Sequence, residues 1–164
     1  TTINVSGSFV TGVQLSLGTN VSLGKVLAVG TAGTAQLGAN GAFNVSNNLV
    51  TNVGVAPQAG SINATFADNG TAVDITVAGF TSALALTLAT GGGEPATGSI
   101  TFTKLFFSDA LAVAIQKGVG TTGKATATPA SIAADTINVG ARIAWTGGQP
   151  IGRFVLPTVV TISY

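Results

Sequence analysis

The chain contains neither histidine nor cysteine. Their absence removes the usual proton carrier near neutral pH, the reactive thiol, and the common ligands of zinc and copper. The acids that remain are Asp68, Asp74, Glu94, Asp109 and Asp135, scattered with no paired spacing that would suit general acid and base work. No catalytic residue, metal site or cofactor is therefore expected, and the chain reads as a non-enzyme. Lys25, Lys104, Lys117 and Lys124 have the chemistry for an isopeptide bond to an asparagine beside a carboxylate, but their spacing gives it no support and solvated lysines are the simpler reading. Trp145 with Phe154 has the makings of a ligand platform, yet a lone tryptophan in a β-rich chain is normally core. Five Asn-x-Ser/Thr sequons, at Asn4, Asn20, Asn44, Asn63 and Asn69, are candidate glycosylation acceptors if the chain is exported where that pathway operates. Several would arise by chance in so Ser- and Thr-rich a sequence.

With catalysis set aside, composition points to structure. Only 7% of the 164 residues are charged, against about 25% in an average soluble domain. The surface must then consist of Thr, Ser, Asn, Gln and Gly. A net charge of +1 creates no long-range field to gather nucleic acid or anionic lipid. No apolar run approaches the roughly 20 residues of a membrane-spanning helix, so membrane insertion is not expected. The absence of cysteine leaves the redox compartment open. The chain opens on Thr1 with no charged-then-apolar leader. An exported protein whose signal has been cleaved would begin this way, and so would a chain trimmed for expression.

The elements that must position any site are short strands. Val13–Leu17, Val21–Val29, AQL, AFNV, Ser61–Phe66 and Ala72–Val77 alternate or cluster apolar residues between Gly, Asn and Pro. Asn40-Gly41 and Asp68-Asn69-Gly70 suit two-residue hairpin loops, and SINATFADNGTAVDITV is the clearest predicted hairpin. ALALTLA, SITFTKLFF, LAVAI, INVGARIAW and RFVLPTVVTISY continue the series. Over 108–118, Ser108-Asp109 and Lys117-Gly118 fit a short helix, while the period-two spacing of Leu111, Val113 and Ile115 favours a strand. Many short strands in series imply an all-β sandwich or barrel.

The two termini carry the most information. In TTINVSGSF, Ile3, Val5, Gly7 and Phe9 alternate with polar residues, and the chain closes on Val160, Ile162 and Tyr164 in a second alternation without charge. Pro157 confines that last strand to an edge or a bulge. Exposed edges are normally blunted by charge, so this one is either covered by a partner or prone to aggregate. The plain alternative is that the N-terminal strand folds back on its own domain.

The closing GRFVLPTVVTISY, with an aromatic at Phe154, alternating apolar residues and a final aromatic, resembles the last strand of chaperone-usher pilins, closest to the archaic, spore-coat-like branch and related bacterial surface proteins. INVGARIAWTGGQPIGRF and VSLGKVLAVGTAGTAQLGANGAF resemble that group's penultimate hairpin and early strand. The resemblance implies an incomplete immunoglobulin-like β-sandwich completed by donor-strand exchange, with residues 1–10 as donor extension and 11–164 as the pilin domain. The donor residues would be Ile3, Val5, Gly7 and Phe9, and the acceptor groove edge Phe154, Val160, Ile162 and Tyr164, the last three pointing inward. It further implies identical subunits as partners, a periplasmic chaperone and outer-membrane usher during assembly, and an extracellular filament as the location. Unlike many relatives the chain lacks a cysteine pair, which leaves its branch open. Burying three large donor side chains at about 1.5–3 kcal/mol each gives on the order of 5–9 kcal/mol, and nine extended residues span about 30 Å. The function expected is that of a major pilin. An adhesin, a self-complemented coat domain and an archaeal thread-like filament subunit built by the same exchange are the alternatives.

Overall fold

The computed structural model describes residues 12–24, 32–46, 54–68, 70–78, 84–85, 87–90, 100–107, 114–116, 124–129, 135–146, 153–155 and 158–164. These form only strands and turns: β1 (Gln14–Thr19), β2 (Gly33–Leu37), β3 (Phe43–Val45), β4 (Gly60–Thr65), β5 (Val73–Val77), β6 (Leu84–Ala85), β7 (Thr87–Thr90), β8 (Ile100–Phe107), β9 (Ala114–Gln116), β10 (Lys124–Ala127), β11 (Asp135–Trp145), β12 (Arg153–Val155) and β13 (Val160–Ser163). The chain is all-β with antiparallel sheets, as its composition predicts. Within 108–118, Ala114–Gln116 is a strand paired with β8, in line with the period-two reading.

The eleven-residue β11 organises the larger sheet. Along one edge it pairs with β8, and along the other first with β4 and then with β2. The exchange of partners falls at Gly140. A Cβ there would collide with the Leu37 carbonyl oxygen, because the end of β2 crosses over this residue. β1 continues the sheet beyond β4, β3 beyond β2, and β6 and β9 beyond β8. A second sheet has the order β10-β5-β13, and β7 pairs with β12 in a separate ladder.

One apolar cluster joins these two larger sheets. Val73, Ile75 and Val77 of β5 and Ile162 of β13 pack with Ala64, Phe102, Leu105, Phe107, Ile137, Val139 and Ala141 from β4, β8 and β11. Such face-to-face burial is compatible with a β-sandwich. A second cluster, Ala35 and Trp145 with Phe43, Val45, Ile100 and Ile143 against them, lies toward β2 and β3. Trp145 is thus a core residue, as a lone tryptophan should be.

Two turns separate reading from structure. Asn40-Gly41 does close a hairpin, from β2 to β3, but through a three-residue loop: Gly41 has a φ of 80°, its N–H reaches the Gly38 carbonyl at 3.0 Å, and Gly38 N–H bonds Ala42 O at 2.8 Å. That is a turn ended by a left-handed residue, where glycine costs nothing sterically. The predicted hairpin over 61–77 is not one. β4 pairs with β1 and β11, β5 with β10 and β13, so the chain crosses from one sheet to the other over residues 66–72. Alternation could not tell the two apart, since strands facing each other across a core have the same period as strands side by side.

The Gly140 crossing has a measurable consequence. Gly140→Ala is expected to destabilise the fold by about 1–3 kcal/mol through the forced shift of β2 against β11, read as a lower denaturation midpoint at unchanged m-value.

Candidate functional site

The strand β13 ends the three-stranded sheet. It pairs with β5 through Val160↔Val77, Thr161↔Thr76, Ile162↔Ile75 and Ser163↔Asp74, and Ala78 N–H donates to the Val159 carbonyl at 2.9 Å one step further along. Hydrogen-bonded and non-bonded pairs alternate in such a ladder. Thr161 and Ser163 therefore turn their backbone groups toward β5, while Val160 and Ile162 turn theirs the other way. Among the described residues no strand pairs with that outer side. It carries no charge to repel one.

The end of this edge is fixed by Tyr164. Its hydroxyl accepts the Asp68 N–H and donates to the Asp68 carbonyl, each at 2.7 Å, clamping the chain's end onto the crossing between β4 and β5. Asp68 in turn accepts from Gly70 N–H at 2.9 Å and from the Thr71 hydroxyl, which holds the crossing in shape. Gly12 lines the same shallow cavity of about 270 Å³ as Ala67, Asp68, Thr71 and Tyr164. The start of β1 and the end of β13 are thus neighbours. β1 leads away from this corner and β13 arrives at it.

On β1 the apolar residues that follow the corner are uncovered. Leu15 pairs with Ala64 and Leu17 with Ile62, and cross-strand partners share a face. Ala64 belongs to the core cluster, and Val13 and Ile62 pack against it. Leu15 and Leu17 thus lie on the core-facing side, yet are 38% and 70% exposed. The arrangement is an apolar strip on β1 that starts from the corner lined by Gly12 and Tyr164, where β13 ends with an outer edge that no strand among the described residues pairs. Chemically it can accept one more strand, whose N–H and C=O groups would meet those of Val160 and Ile162 and whose side chains would cover the leucines.

The predicted residues distribute as follows. Ile162 is buried in the cluster and Val160 packs against it, so these two point inward. Tyr164 is 46% exposed and serves as a clamp instead. Phe154 stands in β12 opposite Leu88 of β7, a ladder separate from that of β13. Ile3, Val5, Gly7 and Phe9 lie outside the described residues, as do Asn4 and Asn69. Asn20, Asn44 and Asn63 are exposed, with the Asn63 side-chain oxygen accepting from Thr136 at 3.2 Å. Leu15 and Leu17 were not singled out by sequence. The alternation of VQLSL locates the strand but says nothing of what covers its inner face.

Among the described residues no group of three or more acidic side chains could hold a metal ion. Comparison with family models, with curated proteins and with solved structures returned no match. The geometry alone therefore carries the functional reading.

Tyr164→Phe removes both hydroxyl bonds to Asp68 and is expected to cost about 1 kcal/mol, the low end for a partly exposed site, in urea-induced unfolding.

Proposed function

We propose that the protein is the repeating structural subunit of an extracellular filament, an incomplete immunoglobulin-like sandwich that accepts the N-terminal segment of a neighbouring copy. The observation that carries the reading is the uncharged outer edge of β13, with which no strand among the described residues pairs, together with the exposed Leu15 and Leu17 of β1. Ordinary domains protect such edges. A donor running over Thr1–Phe9 has the matching chemistry: Ile3, Val5 and Phe9 on one face, with Gly7 between Val5 and Phe9. Because donor and acceptor are different surfaces, the contact does not close on itself and generates a fibre. Export, a periplasmic chaperone shielding the edge and an outer-membrane usher belong to this proposal, as does the absence of catalysis.

One observation favours a second occupant, the chain's own tail. Gly12 lies at the Tyr164 corner, so residues before it start from the end of the acceptor strip. Lying along its own β13, that tail would run parallel to it. A neighbour's tail is free to enter antiparallel, the pairing that is slightly more stable per residue.

Electron microscopy and unheated SDS gels decide between them. The full chain should give filaments and a ladder of oligomers, and a chain lacking residues 1–9 should give monomer. A monomer that loses only stability on the same deletion would show that the tail serves its own domain.

Leu17→Lys offers a sharper probe. Since Leu17 is mostly exposed in the subunit, the change should alter subunit stability by less than about 0.5 kcal/mol while abolishing the ladder. An undiminished ladder would remove the strip from the assembly interface.

A further inference from the structure

The outer face of the larger sheet holds a row of side-chain positions that strand exchange does not use. Through successive register pairs, Asn44 of β3 stands opposite Gln36 of β2, Gln36 opposite Arg142 of β11, Arg142 opposite Lys104 of β8, and Lys104 opposite Gln116 of β9. Five strands at about 4.8 Å make this row about 19 Å long. Its centre is two cations directly opposed, an arrangement that is destabilising in itself. The chain has only six cations to place.

Nothing in the described grid neutralises them. The positions two along β11 from Arg142 are Gly140 and Ala144, and those two along β2 from Gln36 are Thr34 and Gly38. Asp68 and Asp74 belong to the crossing and to the other sheet. The bulge between Arg142 and Ile143 creates the juxtaposition: it sets Phe102 and Leu105 inward together and leaves Lys104 outward against Arg142. Lys104 Nζ lies 5.0 Å from the centre of the Phe106 ring, which adds an aromatic surface at the same place.

We propose that this row binds an anionic polysaccharide, with Lys104 and Arg142 meeting carboxylates, Gln36 and Asn44 hydrogen-bonding hydroxyls, and Phe106 lying against an apolar sugar face. Charge complementarity selects the acid, and the flanking amides supply donors and acceptors for its hydroxyls. Two cations neutralise too few phosphates for useful duplex affinity. The row lies on a different sheet from the β13 edge, so the proposal stands without the filament. In a filament, repeated rows would multiply a weak single-site affinity.

The test uses the full chain and the chain lacking residues 1–9, titrated with polygalacturonate, with neutral galactan and with a DNA duplex as comparators. Polygalacturonate should bind both forms, more tightly when polymeric, and weaken as salt rises. Lys104→Gln and Arg142→Gln should each lower the affinity of the shortened chain about tenfold, the scale of one charge-assisted contact. Neither should lower thermal stability, since each relieves the opposed charges. Equal binding of galactan, stronger binding of the duplex, or affinities unchanged in both variants would overturn the proposal.

Discussion

The packing of one narrow sheet on one broad sheet is what the rest of the molecule depends on. Val73, Ile75, Val77 and Ile162 contribute the narrow side of the cluster, and they are buried because β4, β8 and β11 present Ala64, Phe102, Leu105, Phe107, Ile137, Val139 and Ala141 to them. The three described strands β10, β5 and β13 shield only the part of the broad sheet that they reach. β1 belongs to the broad sheet and is held there by its ladder to β4, yet all six of its residues are exposed. Its leucines point to the side where core should be. Among the described residues, the exposed strip and the β13 edge without a partner strand are therefore two consequences of the same difference in width.

Much of this was legible in the sequence. VDITV buries Val73, Ile75 and Val77 and exposes Asp74, as its alternation requires, and the final strand turns Ile162 inward, as its own alternation suggested. What was not legible depended on partners distant in sequence. The stretch from Ser61 to Val77 has the period of a hairpin but spans two sheets. In ITFTKLFF strict alternation would group Phe102, Lys104 and Phe106 on one face. The bulge against β11 breaks that grouping, burying Leu105 with Phe102 and turning Lys104 out. Such a bulge is set by the partner strand, so neither it nor the opposition of Lys104 to Arg142 is readable from β8 alone.

The same dependence explains Tyr164. As the last in an alternating series it reads as an inward residue, but the ladder ends at Ser163 and the sheet no longer dictates its direction. A phenol at such a point is best placed where its ring packs and its hydroxyl finds backbone partners. Asp68 provides both a donor and an acceptor within 2.7 Å. The clamp ties the end of the chain to the crossing between the sheets, so the edge strand is anchored at the end where β1 begins.

An anchored edge differs from a merely exposed one. A strand that frays presents its N–H and C=O groups in no fixed register, and a partner must bear the entropy of ordering both sides, about 1–2 kcal/mol per residue. β13 is held along one side by β5, at its end by Tyr164 and from below by the burial of Ile162. The groups of Val160 and Ile162 are thus already aligned before any partner arrives. A strand entering as proposed would then order only itself, and the apolar surface it would bury with Leu15 and Leu17 would offset that cost. Register follows from the same alignment, because a slip of one residue would turn Ile3, Val5 and Phe9 of the proposed donor away from the leucines and toward water.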